Sequence, residues 1–389
     1  TAKWQPSEAC SPYMDEDGHV LNKALAENVI RRIARQPAEV TKLKKQDKKL
    51  NAPLPYNLSS LQIDAAKQFS MNAKLVLDIC QSLYEKHKLI TYPRSDCRYL
   101  PLEHFSQAPD IVDHLANCSL SFSEYAKNAQ TSIKSKAWNN SKVSAHHAII
   151  PTLKSGENIN LNSFEKNIYL LIVKQYLAQF YPAYLYKQTD VEIIIANGVF
   201  TTTAKIETQL GWKVLFKRQS TNPKSNDESE TTLPNIQLGQ ELQCHHGELL
   251  EKSTQPPKLF TDATLLGAMT GISRFVSDPN IKKILKETDG LGTEATRANI
   301  IELLFKRGFL KRIGKAIEAT EIGIALIDAL PTQATLPDMT AQWEATLNDI
   351  SERKSSYDTF MNPLNTVLNN MVVQARQQSF SSLPKVPFK

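Results

Sequence analysis

The stretch KLITYPRSDCRYLP, residues 88–101, brings a phenol, a guanidinium and a carboxylate close together where a helix should end. A tyrosine phenol has a pKa of about 10 and is a weak nucleophile, so its attack on a phosphodiester needs a partner that absorbs charge. Arg94 could grip the phosphate that Tyr92 attacks, with Pro93 fixing the backbone between them. Alternatively, Tyr92 is a packed aromatic residue at a helix end, and this pair alone favours that simpler interpretation.

Residues 51–175 have the pattern of a mainly helical domain around this stretch. Pro53 and Pro55 favour extended backbone at its start. Ser59 followed by Gln62 has the spacing of a helix capping box. Apolar residues then recur at helical spacing, and a second helical run, SFEKNIYLLIVKQYLAQF, closes the domain. The predicted apolar stripe consists of Val76, Ile79, Cys80, Leu83 and Tyr84.

Residues 176–250 change to the alternating pattern of strands, rich in Val, Ile and Thr, with Asn197-Gly198 as a hairpin turn. The polar run KRQSTNPKSNDESETTLPN predicts a loop. Residues 1–50 end in TKLKKQDKKL, which is either a solvated edge strand or a basic surface facing phosphates.

Residues 251–375 are helical again and end with a wing. Thr261 or Asp262 is expected to cap the first helix. In GLGTEATRANIIELLFKRGFL, a Gly-rich turn leads to Thr293 as N-cap, with Glu294 in the first turn, where the helix dipole favours an acid. The run KRIGKAIEATEIGIALIDAL predicts two short strands and another helix, so the whole has the order of a winged-helix module. Residues 376–389 are left as a tail.

Composition and charge narrow the class of protein. The 389 residues carry 46 Lys and Arg against 40 Asp and Glu, a net charge of +6 that permits a polyanionic partner without requiring one. No run approaches the roughly 20 apolar residues that span a bilayer, so no membrane partner is expected. The five cysteines form no CxxC pair, which favours a reduced, cytoplasmic compartment. The start without Met, in a strand-like pattern, suggests a fragment or a processed chain.

The motifs as a set resemble one family. LITYPRSDCRYLP resembles the active-site signature of type IA DNA topoisomerases, in which the tyrosine follows an apolar pair and a Thr and precedes x-Arg-Thr/Ser-Asp. The other landmarks of that family have counterparts here in the same order, and the resemblance, strongest to bacterial topoisomerase III, spans essentially all of the chain. These counterparts are PLPYNLSSLQIDAAKQF, SAHHAIIPT, FTDATLLGAM and GLGTEATRANIIELLFKRGFL.

This resemblance implies a multidomain α+β fold. A β-rich arch would take residues 1–50 and 176–250, with the tyrosine-bearing helical domain, 51–175, inserted into it and a winged-helix-like DNA-binding domain at 251–375. The implied activity is ATP-independent breakage of one DNA strand through a 5′-phosphotyrosine, strand passage for relaxation or decatenation, and rejoining. QPSEACSPYMDEDGH and TGISRFVSDPNIKK lie where loops that favour decatenation would be, or are ordinary surface loops.

The resemblance also implies the site residues. Tyr92 would be the nucleophile, Arg94 the clamp for the phosphate charge, and His146 a residue near the scissile phosphate. The Gly-rich turn before a predicted helix N-terminus is a natural phosphate site. For Gln62 the alternative is a capping role, and for Ser95 it is support of the turn. The implied contacts with single-stranded DNA are Gln62, Ser95, Arg98, Thr293, Thr296 and Arg297.

One part of the family pattern has no counterpart in these residues. The family's Toprim domain supplies a glutamate and a DxDxE cluster that holds Mg²⁺, and no stretch here matches it. Asp15 and Asp17 have DxD spacing but are followed by His19, so a solvated loop is expected there. We therefore assign no metal ligand to this chain and expect Mg²⁺ to be held by a Toprim segment, supplied separately as a partner.

Two other functions fit parts of the pattern. A non-enzymatic, winged-helix protein that binds single-stranded DNA would use Tyr92 only as a structural residue. A tyrosine recombinase would need a nucleophile near the C-terminus after several spaced Arg and His residues. Residues 340–389 offer only Tyr357, in a polar context, so the recombinase is disfavoured.

Overall fold

A computed structural model describes residues 1–118, 121–154, 159–217, 233–287 and 290–377. Most of the predicted polar loop and nearly all of the predicted tail lie outside these ranges. The chain divides into two compact units, 1–52 with 181–256, and 53–180 with 257–389. Within the described ranges, no helix combines the length and apolarity needed to cross a bilayer.

The first unit is built on an antiparallel sheet. Its described strands are hydrogen-bonded in the order β1-β4-β3-β2-β5, and a helix, α1, precedes β2. The sequence pattern did not predict α1, whose Ile33 is buried against the sheet. The elements of this unit are β1 (Lys3–Gln5), α1 (Lys23–Ile33), β2 (Pro37–Leu50), β3 (Tyr184–Ile195), β4 (Gly198–Gln209) and β5 (Glu241–Gln243).

The hairpin turn between β3 and β4 lies one residue earlier than predicted. Ile195 pairs with Gly198, so the two-residue loop consists of Ala196 and Asn197, with φ values of 46° and 62°. Two successive positive φ values give the type I′ turn, whose twist matches that of the strands. Gly198 belongs to β4, where a Cβ would lie 3.3 Å from the carbonyl oxygen of Ile195.

The lysine-rich part of β2 runs along one edge of the described sheet. β5 pairs with β2 only over Pro37–Glu39, whereas β3 pairs with it as far as Leu50. Lys42 forms an ion pair with Glu192 at 2.9 Å, and several of the following lysines are exposed. This is the charged edge strand that discourages pairing with another chain. Contact between these lysines and phosphates stays a prediction.

The second unit is mainly helical, and a two-stranded wing follows α9, as predicted. Phe260 extends the wing by a bridge to Ile317. The helices are α2 (Leu58–Phe69), α3 (Ala73–Gln81), α4 (His104–Ala116), α5 (Ser123–Lys127), α6 (Ser163–Leu177), α7 (Asp262–Thr270), α8 (Pro279–Glu287), α9 (Arg297–Lys306), α10 (Glu321–Ala329), α11 (Thr332–Thr335), α12 (Asp338–Ser351) and α13 (Tyr357–Gln377). The strands are β6 (Leu310–Ile313) and β7 (Ala316–Ala319).

The core of this unit forms where α2 packs against α7 and where α3 packs against α6 and α9. The predicted apolar stripe is confirmed for Val76, Ile79, Cys80 and Leu83, which are buried, whereas Tyr84 is only partly buried. After Gln81 the helix continues as a π-helical turn, Ser82–Lys86. The predicted loop at 270–283 instead contains a 3₁₀ turn and the start of α8.

Helix caps agree with the sequence pattern at one helix and differ at two. Thr261 caps α7 through the N–H of Thr264, as predicted. At α2 the cap is Asn57 with Ser60, so the capping box lies two residues before the predicted pair, Ser59 and Gln62. At α9 the first helical residue is Arg297, and Thr293 lies in the turn that precedes it.

A buried ion pair in the second stretch of this unit is bonded to Ser59 in the first stretch. Arg297 and Glu294 form it, with Nη1 and Oε1 2.9 Å apart and their side chains 0% and 6% exposed. Glu294 Oε2 also accepts the Ser59 N–H at 2.6 Å, at the N-terminus of α2, where the helix dipole favours an anion. Burial raises the pKa of Glu294, although the bonds from Ser59 and the charge of Arg297 oppose that rise.

We expect Glu294→Ala to lower the free energy of unfolding by about 3–5 kcal/mol, because it leaves a buried guanidinium without its anion. Urea unfolding followed by circular dichroism measures this loss. The matched control is Glu302→Ala, an exposed acid on α9, which should change stability by no more than about 0.5 kcal/mol. Equal losses for the two variants would contradict a structural role for the ion pair.

Candidate active site

Tyr92 is held from two sides and is still accessible. It follows the π-helical turn in a loop and is 39% exposed. Its ring stacks on the imidazole of His146, with centroids 4.7 Å apart, and meets the Tyr84 ring edge-on at 5.8 Å. Such aromatic contacts restrict the orientation of the phenol. The arrangement therefore suits a nucleophile that must be both fixed and reachable.

Hydrogen bonds of Thr91 bring His146 to the tyrosine. The Thr91 N–H donates to the carbonyl of Ile150 at 3.0 Å, and its hydroxyl donates to the carbonyl of Ala148 at 3.2 Å. The same hydroxyl accepts the Ile150 N–H at 3.0 Å. Because His146 and Tyr92 lie just beyond this joint, the two predicted motifs meet in one place.

Arg94 is oriented by an amide that the sequence pattern did not single out. Its Nη2 donates to Gln81 Oε1 at 3.0 Å. Gln81 Nε2 in turn donates to Glu85 Oε1 at 2.9 Å, which fixes the direction of the amide. A guanidinium carries five N–H donors, so one bond to Gln81 leaves it able to grip a phosphate.

Two residues beside Arg94, both predicted to contact DNA, are engaged within the protein. Ser95 is fully buried, and its hydroxyl accepts the Cys97 N–H at 3.1 Å, which supports the turn. Arg98 donates from Nε and Nη2 to the carbonyls of Pro55 and Leu54, at 2.9 and 2.8 Å. Burial lowers the pKa of Arg98. Both side chains therefore have structural roles in this fold, and their contact with DNA stays a prediction.

Of the remaining predicted DNA contacts, two are buried and two are exposed. Gln62 is 1% exposed and donates to the Ala73 carbonyl, and Arg297 is the buried partner of Glu294. Both therefore have structural roles here, and their contact with DNA stays a prediction. Thr293 and Thr296 are exposed in the turn before α9, where the Thr296 hydroxyl accepts the Thr293 N–H at 3.0 Å. These two threonines remain candidates for contact with phosphate.

A chain of hydrogen bonds runs from this turn to the tyrosine loop through the start of α2. Glu294 contacts the Asn57 side chain and the Ser59 N–H. Asn57 Nδ2 donates to the Asp96 carbonyl at 3.0 Å. The loop after Arg94 and the turn carrying Thr293 are thus attached to the same helix end.

His147, next to His146, has a packing role. Its Nδ1 is 2.8 Å from the Ala148 carbonyl, and its ring meets His104 edge-on at 4.8 Å. Burial lowers the pKa of His147. The structure thus gives the two adjacent histidines different surroundings, with only His146 against the tyrosine ring.

The described residues contain a single group with metal-ligand geometry, and it does not fit Mg²⁺. Asp15, Asp17 and His19 have ligand atoms within 4.8 Å of one another. Mg²⁺ prefers six oxygen ligands, whereas this group offers an imidazole and is otherwise a surface turn. Asp15 already accepts the N–H groups of Asp17 and His19, and the latter bond lowers its pKa. We therefore assign no metal to these residues.

Several contributors to the site were not predicted. The sequence placed three of them in a motif or a helix without indicating a role in the site; these are Thr91, Gln81 and Tyr84. Glu165 has one visible signal, the spacing Asn162-x-x-Glu165 of a capping box, which the structure shows at the start of α6. Thr91 contacts residues 57 and 59 positions away, and Gln81 contacts Arg94 13 positions away, so no pattern within one helix or strand reports these contacts.

Comparison with known proteins agrees with the fold and the motifs. A family model described as DNA topoisomerase matches residues 5–362. A DNA topoisomerase 3 from Haemophilus influenzae is 53% identical over 372 residues, covering 96% of this chain and 56% of that protein. One from Vibrio cholerae is 51% identical, covering 99% and 60%, and one from Bacillus subtilis is 34% identical, covering 97% and 52%.

Among solved structures, full-length topoisomerase I from Thermotoga maritima has the same fold, with a TM-score of 0.65 at 20% identity, covering 92% of this chain and 55% of that one. The family model and these relatives show that the chain belongs to the DNA topoisomerases of type IA. Within this family, the resemblance to bacterial topoisomerase III is confirmed. The chain spans just over half the length of these relatives.

We expect Arg98→Leu to lower the free energy of unfolding by about 1–3 kcal/mol, because the Pro55 carbonyl loses its side-chain donor and the Leu54 carbonyl keeps only the bond from Gln175. Thermal unfolding measures this change, with Lys67→Leu, an exposed cation on α2, as the matched control. Affinity for single-stranded DNA should change equally in the two variants. A loss of affinity for single-stranded DNA in Arg98→Leu alone would show that Arg98 contacts DNA.

Proposed function

We propose that this chain carries the nucleophilic half of a type IA DNA topoisomerase of the topoisomerase III class. The protein breaks one strand of DNA without ATP, passes a strand through the break and rejoins it, which relaxes or decatenates DNA. The single observation that carries this proposal is the accessible Tyr92, stacked on His146 in the loop that also holds Arg94. The identity of the relatives as DNA topoisomerase 3 supports it and disfavours the non-enzymatic alternative.

The proposed reaction is a transesterification. The phenol oxygen of Tyr92 forms a bond to phosphorus, the bond from phosphorus to the 3′ oxygen breaks, and that oxygen leaves as a 3′-hydroxyl after taking up a proton. The phosphodiester is replaced by a 5′-phosphotyrosine ester, so rejoining needs no external energy. Arg94 stabilises the negative charge that develops on the phosphate oxygens. His146 holds the phenol by stacking and lies where its ring can contact the same phosphate.

We propose that Mg²⁺ is held by a Toprim segment, because the relatives extend well beyond the length of this chain and its own candidate cluster does not fit the ion. When bound, the ion would supply charge stabilisation at the DNA phosphates. The residues of this chain provide the nucleophile and the arginine clamp. The Toprim segment is then the protein partner that completes the site.

We further propose that single-stranded DNA approaches the tyrosine over the turn that carries Thr293 and Thr296. Both hydroxyls are exposed immediately before α9, at a helix end where N–H groups favour phosphate. The arch, tyrosine and winged-helix domains implied by the resemblance are proposed as the parts of the protein that surround this path. A cytoplasmic location, where the DNA lies and cysteines stay reduced, is part of the same proposal.

We expect Tyr92→Phe to abolish the covalent complex with DNA while leaving affinity for single-stranded DNA within about twofold, because only the attacking oxygen is removed. The measurement is denaturing electrophoresis of a labelled single strand after incubation with the chain and a Toprim segment. Tyr84→Phe is the matched control and should still form the complex. A complex that survives Tyr92→Phe would contradict the assignment of the nucleophile.

The 389 residues alone are expected to bind single-stranded DNA weakly and to relax supercoiled DNA poorly or not at all. The reason is that the acidic, metal-holding half of the site is proposed to lie elsewhere. Gel electrophoresis of a supercoiled plasmid, with and without Mg²⁺, tests this expectation. Substantial Mg²⁺-dependent relaxation by the isolated chain would refute it, and addition of a Toprim segment is the positive control.

A further inference from the structure

The helix that leads to Tyr92 ends in an uncommon way. α3 passes at Ser82 into the π-helical turn, where the His87 N–H donates to the Ser82 carbonyl at 3.0 Å. A π-helical turn holds an extra residue, so the chain leaves the helix rotated by about 100° relative to a continuous α-helix. Single π-helical turns are rare within helices and are frequent at functional sites. The turn therefore sets the direction from which the chain enters the tyrosine loop.

One buried carboxylate fastens both ends of this turn. Glu165 Oε1 accepts the Ser82 hydroxyl at 2.8 Å and lies 3.2 Å from His87 Nε2. The side chains of His87 and Glu165 are 7% and 8% exposed. Ser82 is the first residue of the turn and His87 follows its last residue. A single oxygen atom thus bridges the beginning and the end of the π-helical turn.

The second oxygen of the same carboxylate is anchored in α6. Glu165 Oε2 accepts the Asn162 N–H at 3.0 Å, as part of the capping box of that helix. Burial alone would raise the pKa of Glu165, but the bonds from Asn162 and Ser82 and the nearby His87 outweigh it and lower that pKa. The carboxylate is therefore ionised at neutral pH and accepts from both sides.

The turn and the residue before it carry the side chains that touch the candidate catalytic residues. Gln81, the last residue of α3, accepts the bond from Arg94. Tyr84, inside the turn, presents the ring that meets Tyr92 edge-on. If the turn relaxed to an α-helical turn, the segment after it would rotate, and these two contacts could not both be kept.

We propose that Glu165 is a positioning residue for the reaction of Tyr92. Glu165 fixes the π-helical turn. The geometry of that turn then determines the contacts of Gln81 with Arg94 and of Tyr84 with Tyr92. This role rests on the proposed function, because it concerns the rate of strand cleavage. A side chain of α6, remote in sequence from the tyrosine motif, therefore helps to set the position of Arg94.

The first test compares Glu165→Ala with the control Asn162→Ala. Asn162→Ala removes the side-chain cap of α6 but keeps the backbone N–H that Glu165 accepts, so it weakens the same helix without releasing the turn. With a Toprim segment supplied, Glu165→Ala should slow formation of the covalent complex about 10- to 100-fold, the scale expected for displaced catalytic groups. Affinity for single-stranded DNA should stay within about twofold in both variants, because neither residue contacts DNA in this proposal.

A conservative variant and a double variant separate positioning from simple loss of stability. Glu165→Gln keeps an acceptor oxygen for Ser82 and His87 and should recover most of the rate. Gln81→Leu should slow cleavage by itself but add little in the Glu165→Ala background, because residues that act through one another are not additive. Amide hydrogen exchange at His87 and Leu89, whose N–H groups donate to Ser82 and Leu83, should speed up in Glu165→Ala and not in Asn162→Ala.

The possible results are distinguishable. Equal rate losses in Glu165→Ala and Asn162→Ala, or an unchanged rate in Glu165→Ala, would overturn the positioning role while leaving the nucleophile assigned to Tyr92. Absence of any covalent complex with the wild-type chain would overturn the proposed function itself. Glu165 would then be a structural residue only, and faster exchange at His87 in Glu165→Ala would show that structural effect.

Discussion

The hydrogen bonds between Thr91 and residues 148–150 decide where the candidate active site forms. Thr91 is bonded through both its backbone and its hydroxyl, and a β-branched side chain has little rotational freedom to lose. Tyr92 follows this joint directly and His146 precedes it by two residues, and their rings stack with centroids 4.7 Å apart. The edge-on ring of Tyr84 and the amide of Gln81 then act on residues whose backbone is already placed.

The amino-acid sequence carries the local features of this fold and few of the distant ones. The apolar stripe of α3, the cap of α7 and the wing after α9 follow from spacing and residue type, and each is present in the structure. The helix α1 was missed although Leu25, Val29 and Ile33 have helical spacing and Asn22 caps its first turn. The turn at Ala196 and Asn197 was placed one residue late, because strand register depends on pairing along the whole hairpin.

The residues of the candidate site show the same difference between local features, which the sequence reveals, and distant contacts, which it does not. Tyr92, Arg94 and His146 lie in motifs that can be recognised as continuous stretches. By contrast, polar residues inside those motifs do not reveal whether they face solvent. Arg297 and Ser95 have the residue types of DNA contacts, yet both are fully buried and bonded within the protein. A buried polar group needs hydrogen-bond partners, and one partner of Arg297, Ser59, lies 238 positions away in the sequence.

The start of α2 connects the tyrosine loop with the turn that carries Thr293. The first N–H groups of a helix have no partner within it and must find one elsewhere. At α2, the Leu58 N–H donates to the Ser95 carbonyl, and the Ser59 N–H donates to Glu294. One helix end therefore binds the loop that follows Arg94 and the turn that carries Thr293. Since these donors cannot be left unsatisfied in a buried place, either loop can move only if α2 moves with it or loses a hydrogen bond. The distance from the nucleophile to the proposed DNA contact is thus a property of a single rigid helix rather than of two independent loops.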